Sequence, residues 1–287
     1  MRKMTDILAL VRDKRDTLSK SHKKIADFII NNPEKTAYMT VSKLSERTGV
    51  SEATVVRFAE KLGFSGYPIF QKNLLSYVKG KLTSIQRMEL TYEKMDEESV
   101  LDRVLKSDIM HIEKTLENID RKQFEEAVEA ISSAKRIYIT GVRSAAALAE
   151  FAGFYLHLIF DNVRLIKSTG GDDLFEQIMN IKEGDVFIGM SFPRYSQNTI
   201  KALEYAKRNN ATVIGITDSK NSPVSNMSDI CLFAECDTTS FADSLTAAIS
   251  LINALIASVG LKNRQLLHTN FERLEKIWDE YGVYDTK

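Results

Sequence analysis

Serine and arginine residues recur where apolar, strand-like runs of the second half of the chain end. Ser191 and Ser196 lie in SFPRYS, directly after the run VFIGM, and Ser144 follows the run RIYIT. Hydroxyl groups beside the unpaired N–H groups of a helix N-terminus form a binding site for phosphate. Arg143 and Arg194 add guanidinium groups, which bind phosphate or carboxylate in a forked geometry. These residues indicate an anion site, although any single serine can instead be a helix cap.

A second group of polar residues lies in GVSEATVVRFAEKLG, residues 49–63. Its apolar residues recur at helical spacing: Val55, Phe58, Ala59 and Leu62. At the start of a helix that enters the major groove, polar and small groups meet base edges. Arg57 can donate to guanine, Thr54 can contact a base or a phosphate, and Ala53 can meet a thymine methyl group.

Further residues around this segment are suited to the DNA backbone, where contacts fix register without reading sequence. An ordinary charged surface on a three-helix bundle is the alternative interpretation. The residues predicted to contact DNA are Lys23, Lys24, Ser42, Lys43, Ser51, Glu52, Ala53, Thr54, Arg57, Lys61, Tyr67 and Lys72.

The elements that must position these DNA-facing residues are two short helices. Val41 and Leu44 mark one apolar face, and Gly49 ends that helix. Ser51 is a suitable N-cap for the next helix, which Gly63 ends. Two short helices separated by a glycine-containing turn predict a helix-turn-helix.

Alternating strands and helices follow in the second half. Strand-like runs occupy residues 136–140, 163–166, 186–191, 212–217 and 230–234, and helical patterns occupy residues 144–160, 172–181, 196–210 and 241–260. This alternation predicts a parallel five-stranded sheet flanked by helices. Ligands of such sheets bind at the carboxyl ends of the strands, which is where the loops 141–145, 191–196 and 217–223 would meet.

The charge of the chain is unevenly distributed. The whole sequence of 287 residues has a formal net charge of zero. Residues 1–80 contain 15 Lys and Arg against 8 acidic residues, which leaves +7 on this segment and −7 on the remainder. A basic segment joined to an acidic body suggests a polyanion-binding module attached to a second domain.

The cysteines and the first residues of the chain predict the cellular compartment of the protein. Cys231 and Cys236 are expected to be free, buried thiols, as in a reducing cytoplasm. The charged opening Met1-Arg2-Lys3 does not resemble a signal peptide, and the uncharged run 244–261 contains enough polar residues to predict a core helix. We therefore expect a cytoplasmic protein without a membrane contact.

The first 80 residues resemble the N-terminal domain of RpiR-family bacterial transcription regulators. The resemblance extends from Leu18 to Val78 and is most specific in GVSEATVVRFAEKLGFSGY, residues 49–67. It implies a regulator of carbohydrate metabolism genes that binds operator DNA as a homodimer or homotetramer.

Residues 107–260 resemble the sugar isomerase (SIS) domain of the same regulators, most faithfully in ATVIGITDSKNSPVSNMSDICL, residues 211–232. The family's phosphate loop resembles Ser-x-Ser-Gly-x-Ser/Thr and its first loop resembles Gly-x-Gly-x-Ser. The matching positions here are Gly141, Ser144, Ser191 and Ser196. The resemblance implies a phosphosugar or related anionic sugar as effector.

Three positions depart from these loop patterns. Pro193 replaces a serine and removes an N–H donor, whereas Arg143 and Arg194 replace glycines. We expect both guanidinium groups to face one anion pocket, and an ion pair with Asp172, Asp173 or a second subunit is the alternative. The predicted ligand residues are Gly141, Arg143, Ser144, Ser191, Arg194 and Ser196.

An enzyme of this fold would need a placed general base. His157 lies mid-helix, where we expect a buried histidine, and Glu150 and Glu176 follow no spacing rule. Neither a metal nor another cofactor is predicted, because the four histidines are scattered. A phosphosugar isomerase-like enzyme and a DNA-binding protein whose sensor no longer binds ligand remain as alternatives.

The sequence thus predicts a ligand-responsive transcription regulator that is not an enzyme. We expect a helix-turn-helix domain over residues 1–80, a linker or connecting helix over 81–106, and a SIS-type sensor domain over 107–287. A mobile linker is expected near residues 80–95.

Overall fold

The chain divides into two compact units, Met1–Gln86 and Arg87–Lys287. A computed structural model describes residues 7–81, 85, 100–167, 173–236 and 242–284 of the chain. The segment for which we expect a mobile linker lies almost entirely outside these residues.

The described part of the first unit is helical. Its helices are α1 (Ile7–Arg15), α2 (Lys20–Asn31), α3 (Pro33–Ala37), α4 (Val41–Thr48), α5 (Glu52–Leu62) and α6 (Tyr67–Lys81). Their apolar faces meet in one core, in which Ile25, Leu44, Phe58 and Phe70 are fully buried. This unit has its own core because each short amphipathic helix must cover one apolar face against its neighbours.

The second unit is an α/β domain. Its elements are α7 (Val100–Asn118), α8 (Arg121–Ser133), β1 (Ile137–Gly141), α9 (Ser144–Ile159), β2 (Val163–Ile166), α10 (Asp173–Ile178), β3 (Val186–Met190), α11 (Gln197–Arg208), β4 (Thr212–Thr217), α12 (Pro223–Met227), β5 (Ile230–Phe233), α13 (Thr246–Lys262) and α14 (Arg264–Tyr281).

All five strands are parallel, in the order β2-β1-β3-β4-β5. Ile137 is paired with Val163 on one side and with Val186 on the other, so β1 lies between β2 and β3. Strands buried on both faces are apolar at successive positions, which is why VFIGM and TVIGIT lack a polar alternation.

Two cores cover the two faces of the sheet. Ile137, Ile139 and Ile188 face α8, α9 and α13, whereas Tyr138 and Phe187 face α10, α11 and α12. The side chains of each strand alternate between these cores, as the pleat requires. The helices that follow β1 and β3 consequently lie on opposite faces of the sheet.

The predicted parallel five-stranded sheet flanked by helices is confirmed, with small differences at its ends. Gly141 extends β1, and Ser191 lies beyond the end of β3. The last two predicted helices correspond to α11 and α13, the latter displaced toward the C-terminus at Thr246–Lys262.

Both cysteines are free, and Cys231 is buried whereas Cys236 is half-buried. Burial raises the pKa of Cys231 to about 11, so its thiol stays protonated at neutral pH. Among the described helices, no single one is both long and apolar enough to cross a bilayer. Only α13 and α14 taken together reach that length and composition, and they are bent by 95° at their junction.

Candidate functional sites

Helices α4 and α5 form the predicted helix-turn-helix. The three residues between them, Gly49 to Ser51, make the turn, and Gly49 adopts a left-handed conformation with φ of 65°. Ser51 caps α5, because its Oγ accepts a hydrogen bond from the backbone N–H of Thr54 at 3.3 Å. Gly63 ends α5 at φ of 100°. The sequence signals for the start and end of this helix therefore coincide with its observed bounds.

One face of α5 is buried and the other is open to solvent. Val55, Phe58 and Ala59 are fully buried in the core of the first unit. Glu52, Ala53, Arg57 and Lys61 are exposed, and Thr54 is half-buried. Arg57 Nε donates to the carbonyl of Ala53 at 3.3 Å, which extends the guanidinium along the helix toward its N-terminus.

The buried face of α5 is fixed by an aromatic cluster. Phe58 packs edge-on against Phe70 with ring centroids 5.8 Å apart, and Phe64 packs on the same ring at 5.4 Å. Such pairs stabilise beyond the area that they bury. The orientation of the exposed face therefore depends on the contact between α5 and α6.

The position of Tyr67 corrects one predicted DNA contact. Its side chain is 1% exposed, and its hydroxyl donates to the carbonyl of Met39 at 2.9 Å. Burial raises its pKa to about 12. Tyr67 therefore supports the start of α6 from inside, and in this structure its side chain does not reach the surface.

The remaining predicted phosphate contacts lie at the surface. Lys24, Ser42, Lys43 and Lys72 are exposed, and Lys23 is half-buried. Ser42 and Lys43 occupy the first turn of α4, where the N–H of Lys43 donates to Thr40 Oγ1 at 3.3 Å. Helix N-termini favour anions, so this turn is suited to a phosphate.

One residue near this face was missed by sequence reasoning. His22, in the first turn of α2, packs edge-on against Phe58 with ring centroids 5.9 Å apart. Burial lowers its pKa, and the charges of Arg57 and Lys61 lower it further. A basic sequence segment gives no signal for such a histidine, because its contact with α5 is tertiary.

In the second unit, the strand order reverses between β1 and β3. Gly141 and Met190 are paired at the ends of these two strands, so the loops that follow start side by side. The chain then leaves for α9 on one face and for α11 on the other. A crevice opens at such a switch point, and open α/β sheets bind ligands there.

The loop after β1 contains a strained residue and a glycine without room for a side chain. Arg143 has φ of 60° and ψ of −124°, a conformation that L-residues rarely adopt. A Cβ on Gly141 would lie 2.2 Å from the carbonyl oxygen of Ala145. The first turn of α9 thus packs directly on the end of β1, and no side chain caps this helix.

The loop after β3 is closed by its own serines. The N–H of Ser196 donates to Ser191 Oγ at 2.9 Å, and Ser196 Oγ accepts from the N–H of Thr199 at 3.4 Å. Ser191 is buried and Ser196 is half-buried. Each serine oxygen accepts one of these hydrogen bonds, so each hydroxyl group can still donate a hydrogen bond to an anion. Capping and anion binding are therefore compatible roles.

The loop after β4 is bonded to the loop after β3 through Tyr195. Its hydroxyl donates to Asp218 Oδ1 at 2.9 Å, and Thr217 Oγ1 donates to the same oxygen at 3.2 Å. Sequence reasoning missed this pair. An aspartate directly after a buried strand was the available signal, but its partner lies 23 residues away in the chain.

The two arginines are exposed at this edge of the sheet. Arg194 lies between Ser191 and Ser196, whereas Arg143 precedes the first turn of α9. Within the part of the chain that the structure describes, Arg143 makes no ion pair, and the alternative partner Asp172 lies outside that part. The six predicted ligand residues thus lie at, or shortly after, the paired ends of β1 and β3.

The residues considered for acid–base catalysis are dispersed. His157 is exposed rather than buried as expected, because it lies on the outer side of α9. Glu150 pairs with Lys167 at 3.4 Å, and His268 lies 3.6 Å from Glu272. Among the residues that the structure describes, no group of three metal-binding side chains is assembled.

Comparisons with known proteins agree with this two-part architecture. Residues 5–81 match the model of the helix-turn-helix domain of the rpiR family, and residues 130–258 match that of the SIS domain. An HTH-type transcriptional regulator of Haemophilus influenzae is 30% identical over 234 residues, which are 81% of each chain. The Escherichia coli regulator HexR is 24% identical over 283 residues, which cover 96% of this chain and 95% of HexR.

Solved structures show the same fold. The sugar isomerase domain of an RpiR transcription factor from Sphaerobacter thermophilus is 26% identical, with a TM-score of 0.60 over 62% of this chain and 99% of that one. Vibrio vulnificus NanR complexed with ManNAc-6P has a TM-score of 0.60 at 21% identity, over 96% of this chain and 98% of that one. The chain belongs to the RpiR family of HTH-type transcriptional regulators, and its second unit contains a SIS domain.

Proposed function

We propose that the chain is a ligand-responsive transcription regulator that binds operator DNA through α4 and α5. It senses a phosphosugar or related anionic sugar where β1 and β3 end, and it controls carbohydrate metabolism genes. The observation that carries the proposal is the presence, in one chain, of an exposed polar face on α5 and of two loops with serine and arginine residues at the switch point of a sheet.

DNA binding is supported by the arrangement around α5. Arg57 and Lys61 extend from its solvent face, and Lys43 lies in the first turn of α4. Cations on such a face neutralise backbone phosphates and release counterions. Arg57 and Thr54 are the candidates for reading base edges, and the lysines hold the register.

The salt dependence of binding tests this part of the proposal. We expect affinity for a mixed-sequence duplex to fall steeply with salt, with a log–log slope of about −0.9 for each phosphate neutralised. Lys43→Ala should reduce the magnitude of this slope by about one unit. Fluorescence anisotropy over a salt series measures both quantities.

Arg12→Ala is the matched control, since Arg12 is an exposed cation of α1 that is not among the proposed contacts. A slope independent of salt for the wild type would exclude DNA binding through these phosphate contacts. Equal slopes for Lys43→Ala and Arg12→Ala would remove Lys43 from the interface.

Effector sensing is supported by the convergence of the loops after β1 and β3. Both helix N-termini, α9 and α11, start beside the crevice, and Ser144, Ser191 and Ser196 supply hydroxyl groups there. Vibrio vulnificus NanR, which shares this fold, was solved with ManNAc-6P, a phosphosugar. Arg143 and Arg194 supply positive charge in place of the glycines of the family pattern.

Calorimetric titration of a panel of phosphosugars tests the effector site. We expect one class of phosphosugar to bind the wild type, and Arg194→Ala to weaken this binding about tenfold or more, because hydrogen bonds to charged groups contribute about 1.5–3 kcal/mol. Arg208→Ala is the control, since Arg208 is an exposed arginine at the far end of α11, paired with Glu204. Equal affinities of the two variants would refute the role of Arg194, and silence across the panel would favour a sensor that no longer binds ligand.

The proposal includes a cytoplasmic location, a homodimer or homotetramer, and no enzymatic activity. The named relatives support the last point, because they are transcription regulators. Two copies of the recognition helix in one assembly would read two half-sites separated by about one helical turn of DNA.

A further inference from the structure

His22 occupies a defined position between α2 and the recognition helix α5. Its backbone N–H donates to Ser19 Oγ at 3.3 Å, which holds it in the first turn of α2. Its ring packs edge-on against Phe58, with centroids 5.9 Å apart and planes inclined at 71°. The ring contacts Phe58 of the core, and the residue as a whole is half-buried.

The imidazole has cationic neighbours. Burial is the largest cause that lowers its pKa below the ordinary value of 6.5, followed by the charges of Arg57 and Lys61 on α5. A hydrogen bond with the backbone of Thr54 raises the pKa of His22 in part. Among the described residues, Arg57 and Lys61 are the charged groups that cause this shift, and no carboxylate is among its causes. The free protein therefore holds a neutral His22 at neutral pH.

Other charged groups near the first turn of α2 are also positive or already paired. Lys23 and Lys24 follow His22 directly in the sequence. Asp27, one turn further along α2, is bonded to Arg15 at 2.5 and 2.9 Å. An imidazolium at position 22 thus has cationic neighbours and lacks an available carboxylate among the described residues, until a polyanion approaches.

We propose that His22 is a proton-linked contact of the DNA-binding face, which takes up one proton from solvent when the domain binds DNA. The imidazolium then neutralises one further backbone phosphate. The inference rests on the proposed DNA binding. DNA held by Arg57 and Lys61 offsets the repulsion that these two cations add to the effect of burial, so protonation of His22 is more favourable in the complex than in the free protein.

The sign of the pH dependence follows from linkage. DNA raises the proton affinity of His22, so its pKa in the complex lies above its pKa in the free protein. Between these two values binding takes up a proton, and affinity for DNA therefore rises as pH falls through the pKa of the complex. The gain is complete below the pKa of the free protein, and it is absent well above the pKa of the complex.

The experiment compares salt slopes at two pH values. Full-length wild type is titrated with a mixed-sequence duplex over a salt series at about pH 8 and about pH 6, on either side of the ordinary histidine pKa. We expect a slope steeper by about 0.9 at the lower pH, which corresponds to one more phosphate neutralised. His22→Gln should give the shallow slope at both pH values, and His22→Lys should give the steep slope at both.

A second measurement counts the protons taken up on binding. The binding enthalpy of the wild type is measured in two buffers of different ionisation enthalpy, at a pH between the pKa values of His22 in the free protein and in the complex. The difference gives the number of protons taken up, for which we expect a value near one per bound domain. The same measurement with His22→Gln should give a smaller uptake, which subtracts any contribution from the histidines of the second unit. Thermal unfolding of His22→Gln and His22→Lys checks that both variants remain folded.

The outcomes separate the inference from the function on which it rests. Wild-type slopes that are equal at both pH values, with no proton uptake, would overturn the role of His22. Proton uptake that persists in His22→Gln would overturn it as well, because another group would be responsible. Failure of the wild type to bind DNA at either pH would instead refute the proposed DNA binding.

Discussion

At the scale of single residues, Arg143 combines a cost in stability with a proposed gain in binding. A non-glycine residue at φ of 60° and ψ of −124° is destabilising by about 1–3 kcal/mol. The SIS pattern that the chain resembles has a glycine here, for which this conformation is unstrained. The proposed contribution of the guanidinium to effector binding would account for an arginine at this strained position.

Substitutions at Arg143 separate the two effects. Arg143→Gly should raise the free energy of unfolding of the second unit by about 1 kcal/mol, because release of strain exceeds the added flexibility of the unfolded chain. Arg143→Ala should bring no such gain, since alanine retains the unfavourable φ. Both should weaken phosphosugar binding about tenfold, because both remove the guanidinium.

The fluorescence of Trp278, the single tryptophan, reports unfolding of the second unit, and calorimetry reports binding. Equal stability of the glycine and alanine variants would show that the backbone at position 143 is not strained. Unchanged affinity in both would assign Arg143 to the surface rather than to the effector site.

At the scale of elements, the contact between β1 and α9 positions the first ligand loop. Gly141 ends β1 where the first turn of α9 passes, and Gly153 lies two to three turns further along the same helix. A Cβ at position 153 would meet Leu165 at 3.6 Å, an ordinary contact, whereas at position 141 it would overlap the backbone of Ala145. A side chain therefore does not fit at position 141, whereas an alanine side chain fits at position 153.

Alanine at these two positions should act in opposite directions. Gly141→Ala should destabilise the second unit by about 3 kcal/mol and displace the first turn of α9, because the overlap is with backbone. Gly153→Ala should stabilise it by about 0.5–1 kcal/mol, since glycine is a poor residue for a helix interior. Urea unfolding followed by Trp278 fluorescence measures both, and destabilisation of similar size by both would contradict the assigned role of Gly141.

At the scale of the whole molecule, the two units have separate cores and opposite formal charge. An effector changes DNA affinity only if it binds two arrangements of the molecule with different affinities, and the coupling is then reciprocal. Within the second unit, Asp108 of α7 accepts hydrogen bonds from Ser244 Oγ at 2.5 Å and Thr246 Oγ1 at 2.9 Å. These bonds connect α7 with the start of α13.

The sequence by itself determined the local features of this protein. Glycine at positions 49 and 63, a serine cap at 51 and helical spacing of apolar residues located the helix-turn-helix, because these signals act through neighbouring residues. Apolar runs and their alternation with helices gave the parallel sheet, and the loops after its strands gave the candidate ligand residues.

Only the tertiary structure decided which of these residues meet. The sequence predicted that the loops after the strands meet at one edge of the sheet. Strand order is a long-range property, however, so the pairing of Gly141 with Met190, which makes two of these loops neighbours, was not predicted. The tertiary structure also buries Tyr67, which was predicted to contact DNA, and it leaves His157 exposed, although that residue was expected to be buried. The strain at Arg143, the bond between Tyr195 and Asp218 and the packing of His22 on Phe58 depend on contacts between elements, which residue spacing does not encode.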